Sequence, residues 1–299
     1  MERKFIYLIN PISGTARKDA LEQMIIQQTK RQQIPFEILP TDPTGDYSGL
    51  AQHIQRESIT DIIVCGGDGT INGVASHVHD TGVKIGIIPM GSGNGLALAA
   101  GIPTAPSRAL DIIFRGRFTP VDGFYINGKF SCMLCGVGFD AQVAHDFAMQ
   151  KRRGLQTYIK VSAINYFKAV TYPFSIQAAN FNMDTEAYLV CVANSNQFGN
   201  NFIIAPKASL NDGLLDIVIV KKMSKLLMPF SIISQVTGIN ALQHLSGEIR
   251  ENNILYFQTS ELSIGNPSLA PLHIDGDPVA TSASFHIKVK RDALNLLHP

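Results

Sequence analysis

The stretch DIIVCGGDGTINGVA, from Asp61 to Ala75, limits the possible fold more than any other part of the sequence. Its first five residues are typical of a buried β-strand, and the strand ends at a turn that holds three glycines and one aspartate. The residues Ile71–Val78 that follow have the apolar spacing of a helix. A near-continuous apolar strand followed by a helix is characteristic of a parallel sheet covered by helices on both faces.

The same alternation fills the first third of the chain. Strand-like and helical runs follow one another as Lys4–Ile9, Ala16–Gln33, Pro35–Pro40, Tyr47–Arg56, Asp61–Cys65, Ile71–Val78 and Lys84–Pro89. Beyond Phe118 short strands dominate, which indicates an antiparallel sandwich or barrel. Asn127-Gly128, between two apolar runs, predicts a hairpin. Helical stretches are predicted at Ala141–Gln150, Leu155–Val170 and about Ser224–Leu245.

We therefore predict an α/β protein in which a Rossmann-like parallel-sheet domain precedes an antiparallel β-sandwich domain. The boundary is placed near Val121. The first domain would span residues 1–121 and could be completed by 288–299, and the second would span 122–287.

Composition narrows the classes of partner. The 299-residue chain carries 25 basic and 24 acidic residues, a net charge of +1, so no nucleic-acid partner is expected. It contains no run of about 18 apolar residues that would cross a bilayer, and the early FIYLI segment is too short for a signal-peptide core. We therefore expect a cytoplasmic protein.

Cys132 and Cys135 form one CxxC motif. On a strand the two side chains would point to opposite faces, so we expect structural thiols and no metal site.

Three glycine- or serine-bearing turns end predicted strands, at Asn10–Gly14, Gly66–Thr70 and Gly91–Asn94. Ligands of open parallel sheets bind at the carboxyl ends of the strands, and the amides of such turns form anion sites. Asp68 alone would repel a phosphate, whereas Mg²⁺ between the two makes it a good ligand. Three such turns could converge on one sheet edge. The sequence therefore predicts a site for a polyphosphate with Mg²⁺.

Other nucleotide and hydrolase motifs fit poorly. The chain has no GxxxxGK[ST] and no GxSxG. Gly136–Ala141 matches the dinucleotide fingerprint GxGxxA, but no acidic residue follows about 20 residues later, and the motif comes after a hairpin. NAD binding at this motif is therefore not expected.

The ordered set of motifs resembles the diacylglycerol kinase catalytic-domain superfamily, which includes bacterial lipid kinases and sphingosine kinases. The matching stretches are Asn10–Gly14, Gly66–Thr70 with Asn72, Pro89–Asn94, Gly138–Ala141, Ala205–Ile217 and Ile274–Asp277. They follow the family's order and cover nearly the whole chain. The resemblance implies an ATP-dependent kinase of lipid hydroxyls, with an α/β nucleotide-binding domain and a sandwich domain for the lipid substrate.

By the same resemblance, specific positions acquire expected roles. Nucleotide would be bound by Asn10, Ser13, Gly14, Thr41, Gly66, Gly67, Asp68, Gly69, Thr70, Ser92 and Asn94. Lys18 is a further candidate phosphate ligand, with a solvated helix lysine as the alternative. Asp68 would position the catalytic Mg²⁺, and Asp212 with Leu214 resembles a structural magnesium site. Asp277 would be the general base.

Two positions depart from the family pattern. The family often has glutamate where this chain has Gly73, and its D-G-E motif is D-G-D here, so Asp277 replaces the usual glutamate. Aspartate is competent as a base but one methylene shorter, and proton abstraction requires hydrogen-bond reach.

The expected reaction is in-line transfer of the ATP γ-phosphate to a lipid hydroxyl at the membrane surface. Candidate apolar contacts for the lipid are Leu226, Leu227, Met228, Phe230, Ile232 and Ile233, which could equally be core. Anionic headgroups could be met by Lys151, Arg152, Arg153, Lys160 and Lys168, on the inner face of the membrane. Diacylglycerol, a sphingoid base, another lipid alcohol and phosphatidylglycerol remain as acceptors.

Two other functions stay open at this point. A kinase of a soluble nucleotide, similar to NAD kinases, would explain GGDGT but not the turns at Asn10–Gly14 and Gly91–Asn94. A non-catalytic protein that binds lipid or nucleotide would explain Gly73 and Asp277. A homodimer through exposed sandwich edges is a further option.

Overall fold

The structure is a computed structural model that describes residues 2–11, 18–150, 154–179, 181–199, 202–223, 249–250 and 254–299. The chain divides into two compact units. The first comprises Met1–Val121 with Asp292–Pro299, and the second comprises Asp122–Arg291.

The first unit alternates strands and helices. In chain order they are β1 Phe5–Ile9, α1 Lys18–Arg31, β2 Phe36–Pro40, α2 Leu50–Glu57, β3 Asp61–Gly66, α3 Asp68–Val78, β4 Lys84–Pro89, α4 Gly95–Ala99 and α5 Pro106–Arg115. The strands lie in the order β2-β1-β3-β4 and every pair is parallel. This confirms the predicted α/β arrangement, because strands separated by helices return to the sheet in the same direction.

The central strands of this sheet are buried along their whole apolar length. Phe5, Ile62 and Ile63 have no exposed surface, since helices cover both faces of the sheet. Tyr7 is also fully buried, and its hydroxyl lies 2.8 Å from Thr29 Oγ1, which satisfies the one polar group that the ring brings into the core.

The second unit consists mainly of antiparallel strands. Its elements include β5 Phe118–Ile126, β6 Lys129–Ser131, β7 Leu134–Gly138, α6 Phe139–Ala148, α7 Leu155–Lys168, β8 Tyr172–Ala178, β9 Phe181–Ala193, β10 Gln197–Gly199, β11 Phe202–Ile203, β12 Leu215–Lys221, β13 Ile249–Arg250, β14 Ile254–Thr259, β15 Glu261–Gly265, β16 Leu272–Ile274, β17 Asp277–Val279 and β18 Ser284–Leu297. The first residues of β5 and the last residues of β18 belong to the first unit.

Strand β9 organises the second unit. Its first half pairs with β8, and its second half pairs with β12 and with β7. Side chains from these strands, together with β5, β14, β15 and β18, enclose one apolar core that contains Phe124, Val190, Ile217 and Phe285. The predicted β-sandwich is therefore confirmed.

The structure shows two chain connections clearly. β5 and β6 form the predicted hairpin, with Ile126 opposite Lys129 and positive φ angles of 47° at Asn127 and 81° at Gly128. These angles define a type I′ turn, the geometry for which Asn-Gly is preferred. The end of β18 pairs in parallel with β4, with Asn295 opposite Lys84, so the last segment returns to the first sheet.

Some elements differ from the prediction. Among the short strands expected beyond Phe118, Phe202–Ile203 has only two residues, and the next residue, Ile204, donates its N–H to Asn196 O. The predicted helix at Ser224–Leu245 lies outside the described residues.

The four cysteines are buried and form no disulfide with one another. Burial raises the pKa of the Cys65, Cys135 and Cys191 thiols, which disfavours the reactive thiolate and agrees with structural roles. Among the helices that the structure describes, none has both the length and the apolar character needed to span a bilayer.

Arg3 links three parts of the first unit. Its Nε donates to Asp61 Oδ2 at 3.2 Å, and its Nη1 donates to the carbonyl of Ile113 at 2.9 Å, near the end of α5. The guanidinium carbon also lies 4.5 Å from the ring centroid of Phe5. Asp61 has no exposed surface, so its carboxylate depends on this ion pair.

We expect Arg3→Met to destabilise the first unit by about 3 kcal/mol, because the buried carboxylate of Asp61 loses its counterion. Arg56→Met is the control, since Arg56 is exposed and pairs with Glu57 at the surface, and its loss should cost less than about 1 kcal/mol. Urea unfolding followed by circular dichroism measures both. Equal effects of the two substitutions would contradict the role of Arg3.

Candidate functional site

The structure brings the described parts of the three glycine- and serine-bearing turns to one sheet edge. The turns follow β1, β3 and β4, which are neighbours in the sheet, with Ile9 opposite Cys65 and Gly66 opposite Pro89. Backbone hydrogen bonds continue past the strands, from Asn10 N to Cys65 O at 3.0 Å and from Met90 N to Gly66 O at 2.9 Å. The turns therefore begin at the spacing of adjacent strands, about 4.8 Å.

The first and second turns are joined by side chains. Asn10 Nδ2 donates to Thr70 Oγ1 at 2.9 Å. Thr70 in turn packs over Gly66, where an added Cβ would lie 2.8 Å from the Thr70 Cβ. Glycine at position 66 is thus needed for Thr70 to reach Asn10.

The second and third turns touch through their backbones. A Cβ on Gly91 would lie 2.6 Å from the Cα of Gly67, and a Cβ on Gly67 would lie 3.0 Å from the Cα of Gly91. Both distances are closer than side-chain carbons normally approach, and the opposing atoms belong to the main chain. Glycine at these two positions is required by this contact.

Asp68 connects the same two turns electrostatically. Its Oδ2 accepts a hydrogen bond from Gly95 N at 3.0 Å and its Oδ1 accepts one from Leu96 N at 3.3 Å. Burial raises the pKa of this carboxyl, while these backbone donors act in the opposite direction. The carboxylate therefore satisfies amides that α4 leaves unpaired at its start.

Asn94 shapes the third turn from within. Its Oδ1 accepts from Gly91 N at 2.8 Å and its Nδ2 donates to Gly91 O at 2.9 Å. Asn94 is buried and adopts a left-handed backbone with φ of 54°, which asparagine tolerates better than most residues. Both ends of its side chain are engaged inside the turn, so its contribution there is to loop shape. Ser92 is exposed.

A cavity of about 260 Å³ opens beside the first two turns. Its lining includes the predicted residues Asn10, Thr41, Gly69 and Thr70. Thr41 is buried, and its backbone N–H donates to Ile9 O at 3.1 Å, which fixes it at the end of β2. Ser13, Gly14 and the side chain of Lys18 lie outside the described residues.

Tyr47 also lines this cavity, although it is not one of the predicted ligands. It is buried and packs against Gly73, where an added Cβ would lie 3.4 Å from the ring. It also contacts His77 edge to face, with ring centroids 5.9 Å apart. The ring thus occupies space next to Gly73, the position where the resemblance implies a glutamate. A tyrosine before a helix carries no local signal for this placement.

Asp277 lies in the second unit, at the first position of β17. Ile274 and Asp277 face each other across the two-residue turn Asp275-Gly276, where φ is 50° and 83°. These angles define a type I′ turn, which Asp-Gly favours. Asp277 is exposed. The turn therefore presents the predicted base on the surface of its unit.

The second turn predicted to bind Mg²⁺, at Asp212–Leu214, is closed by its own hydrogen bond. Asp212 Oδ1 accepts from Leu214 N at 3.0 Å, and Gly213 between them has φ of 74°. Gly213 N–H donates to Asp122 Oδ2 at 2.7 Å. Asp216 follows with no exposed surface, and burial raises its pKa to about 7, with the charge of Asp212 acting in the same direction.

The two turns predicted to hold Mg²⁺ differ in how well their residues suit the ion. Within the described part of the chain, no cluster of three or more His, Cys, Asp or Glu side chains could hold a metal. At Asp68 a single carboxylate still fits a Mg²⁺ whose other ligands are phosphate oxygens and water. At Asp212 the magnesium site stays a prediction from the resemblance.

The glycines of the GxGxxA motif are needed for close packing of β7 against its neighbours. A Cβ on Gly138 would lie 2.4 Å from the Tyr188 carbonyl oxygen, and a Cβ on Gly136 would lie 1.9 Å from Asp140 Oδ2. These glycines allow β7 to lie against its neighbours, which accounts for them without a dinucleotide.

Comparisons with known proteins agree with this architecture. The model of the diacylglycerol kinase catalytic domain matches residues 4–126, and that of the YegS C-terminal NAD kinase beta sandwich-like domain matches residues 134–298. The Diacylglycerol kinase of Bacillus subtilis is 26% identical over 277 residues, covering 90% of this chain and 88% of that protein. A "Probable lipid kinase YegS-like" protein of Shewanella frigidimarina is 27% identical over 235 residues, covering 75% and 72%.

A crystal structure of a diacylglycerol kinase from Bacillus anthracis shares the fold, with a TM-score of 0.76 at 20% identity, covering 100% of this chain and 97% of that chain. Parallel and antiparallel units with these motifs define a two-domain kinase-type protein. The chain belongs to the diacylglycerol kinase catalytic-domain superfamily, with a YegS-type sandwich domain. The resemblance inferred from the ordered motifs is confirmed.

We expect Gly91→Ala to weaken MgATP binding about 10- to 100-fold, because relieving the clash with Gly67 must move one of the two turns at a cost of about 1–3 kcal/mol. Calorimetric titration measures the change. Gly49→Ala is the control, since nothing lies within 4 Å of its added Cβ and its φ is −83°. Unchanged affinity in Gly91→Ala would show that the contact does not shape a nucleotide site.

Proposed function

We propose that this protein transfers the γ-phosphate of ATP to a hydroxyl group of a membrane lipid. The observation that carries the proposal is the joining of the turns after β1, β3 and β4 at one sheet edge, with a cavity beside the first two of them. Membership of a kinase family supports phosphoryl transfer, and the names of the relatives support a lipid acceptor.

The nucleotide phosphates would be bound mainly by main-chain amides. Gly69 and Thr70 stand in the first turn of α3, whose N–H groups have no partner inside the helix. The positive end of this helix favours an anion, and glycines at 66 and 67 allow close approach. Thr41, which also lines the cavity, would add a hydroxyl. Catalysis of phosphoryl transfer rests on such positioning and on charge neutralisation.

Asp68 would have two roles, one structural and one in binding Mg²⁺. It holds the start of α4 against the start of α3, and it would supply the carboxylate ligand of Mg²⁺. When bound, the ion would offset the charge that develops on the phosphates. The desolvated carboxylate benefits from such a cation, because burial alone disfavours its charged form.

Asp277 would accept the proton of the lipid hydroxyl. Its side chain is shorter than the glutamate found in the family, so the hydroxyl must come about 1 Å closer or be reached through water. The exposed position on the hairpin leaves the carboxylate accessible to a substrate.

We expect Asp277→Asn to lower kcat about 100-fold or more, because the amide cannot accept the proton, whereas Asp277→Glu should retain activity. The assay follows transfer of labelled phosphate from ATP to diacylglycerol, a sphingoid base and phosphatidylglycerol in mixed micelles, with NAD as a soluble acceptor. Asp184→Asn, at an exposed position of β9, is the control. If NAD is phosphorylated and none of the lipids is, the result would favour the kinase of a soluble nucleotide instead. MgATP binding without turnover on any acceptor would favour a non-catalytic protein.

We further propose that α7 contacts the membrane that contains the acceptor. Ile159 is 58% exposed and Phe167 is 75% exposed, and they stand on the same side of the helix as Lys160. The opposite side is buried, with Val161 in the interior and Asn165 Nδ2 donating to Asp146 Oδ2 at 2.9 Å. An apolar helix face flanked by lysines complements a bilayer with anionic headgroups.

We expect Phe167→Ser to reduce binding to vesicles that contain anionic lipid by about 30-fold, the equivalent of about 2 kcal/mol for one buried phenylalanine. Sedimentation with vesicles measures the affinity. Phe118→Ser, which removes a phenylalanine that is 44% exposed in the first unit, should leave it unchanged. Equal losses in both variants, or binding indifferent to anionic lipid, would argue against α7 as the docking surface.

A further inference from the structure

A buried polar pair lies behind the hairpin that carries Asp277. His273, in β16, is 1% exposed, and its Nε2 lies 3.3 Å from Asp140 Oδ2. Its Nδ1 accepts a hydrogen bond from Gly276 N at 3.2 Å. The imidazole therefore connects the first turn of α6 to the tip of the hairpin.

The direction of these hydrogen bonds is fixed by chemistry. A backbone N–H can only donate, so Nδ1 of His273 must be the unprotonated acceptor for Gly276. The ring then carries its hydrogen on Nε2 and donates a hydrogen bond from that N–H to the carboxylate of Asp140. Asp140 selects the tautomer that His273 needs to hold the turn, as carboxylates do for histidines at functional sites.

The surrounding structure is built around this pair. His273 stands opposite Gly136 in β7, and a Cβ at position 136 would lie 2.6 Å from His273 Nε2. Any larger residue there would separate His273 from Asp140. On its other side, His273 pairs in register with Pro278, which directly follows Asp277.

The bonded amide belongs to the residue that precedes Asp277. Gly276 has φ of 83°. Because glycine can adopt many other backbone conformations, the turn keeps this one only if its N–H is held. Asp275 is secured separately, since its Oδ1 accepts from Ser131 Oγ at 2.8 Å and from Leu134 N at 2.9 Å. His273 therefore restrains the half of the turn from which the Asp277 side chain departs.

We propose that His273, oriented by Asp140, is a positioning residue that sets the direction of the Asp277 carboxylate for proton abstraction. The inference rests on the proposed function of Asp277. An aspartate base has little reach to spare, so its hairpin must be held firmly. A misplacement of about 1 Å at such a site can cost about 100-fold in rate.

Substitution of His273 by Asn or by Gln tests the two hydrogen bonds of the imidazole one at a time. Asn places an oxygen near the position of Nδ1, so His273→Asn keeps an acceptor for Gly276 N–H. Gln places its amide near the position of Nε2, so His273→Gln keeps a donor to Asp140 and loses that acceptor. Thermal unfolding of each variant shows whether it is folded before its activity is compared.

The kinetic test uses the full chain with MgATP and the lipid that the wild type phosphorylates best. We expect His273→Gln to lower kcat about 10- to 100-fold with unchanged KM for ATP, and His273→Asn to stay within about threefold of wild type. In the Asp277→Asn background, His273→Gln should cause no further loss, because the group that it positions is already absent. Equal losses in the two single variants, no loss in either, or additive losses in the double variant would overturn the proposal.

A second readout does not depend on activity. Hydrogen exchange of peptides that contain Gly276 should accelerate in His273→Gln but not in His273→Asn. If the wild type phosphorylates no lipid, the proposed function fails, while this exchange comparison still decides whether His273 holds the hairpin. Identical exchange in the two variants would show that it does not.

Discussion

The contact between the backbones of Gly67 and Gly91 is the constraint on which the first unit's site depends. Because β3 and β4 are adjacent in the sheet, their turns start about 4.8 Å apart, and side chains at both contact positions would collide. Two glycines let the turns stay at main-chain distance. The helices α3 and α4 then begin side by side at one sheet edge. Nothing larger than hydrogen at these positions preserves that arrangement.

Asp68 turns this proximity into a defined geometry. A carboxylate in the first turn of α3 is favourable by itself, but here its oxygens accept hydrogen bonds from the start of the next helix. The residue therefore has a structural task that does not depend on a metal ion, and its desolvation makes a nearby cation favourable. The two roles are compatible, because a carboxylate oxygen that accepts one hydrogen bond retains a lone pair.

The second unit places its functional candidate differently. Asp277 stands on a two-residue hairpin whose Asp-Gly turn is sterically suited to positive φ angles. The turn is tied to Ser131 and Leu134 on one side and to His273 on the other. An exposed carboxylate on a firmly held turn differs from an exposed carboxylate on a free loop, since only the former keeps one direction. At Gly73 the Tyr47 ring packs beside the backbone, at the position where the resemblance implies a glutamate.

Sequence patterns alone predicted most of the fold and the sheet edge at which the glycine-bearing turns meet. The apolar runs located β1 to β4, and Asn127-Gly128 and Asp275-Gly276 each have the residues that a type I′ turn requires. These features are local, because they depend on side-chain period and on the φ angles that each residue type permits. The order of the motifs along the chain was enough to reveal the family.

Other features depend on residues that are far apart in the sequence. Asp68 bonds Gly95 and Leu96, 27 and 28 positions later, and His273 bonds Asp140, which is 133 positions earlier. The glycines of Gly136–Ala141 fit a dinucleotide motif locally, yet they exist to admit Asp140 and the Tyr188 carbonyl. Sequence by itself determined which segments form strands, helices and tight turns. Only the tertiary structure decided which polar groups meet, because those groups lie on segments far apart in the sequence that come together only when the strands take their order in the sheet.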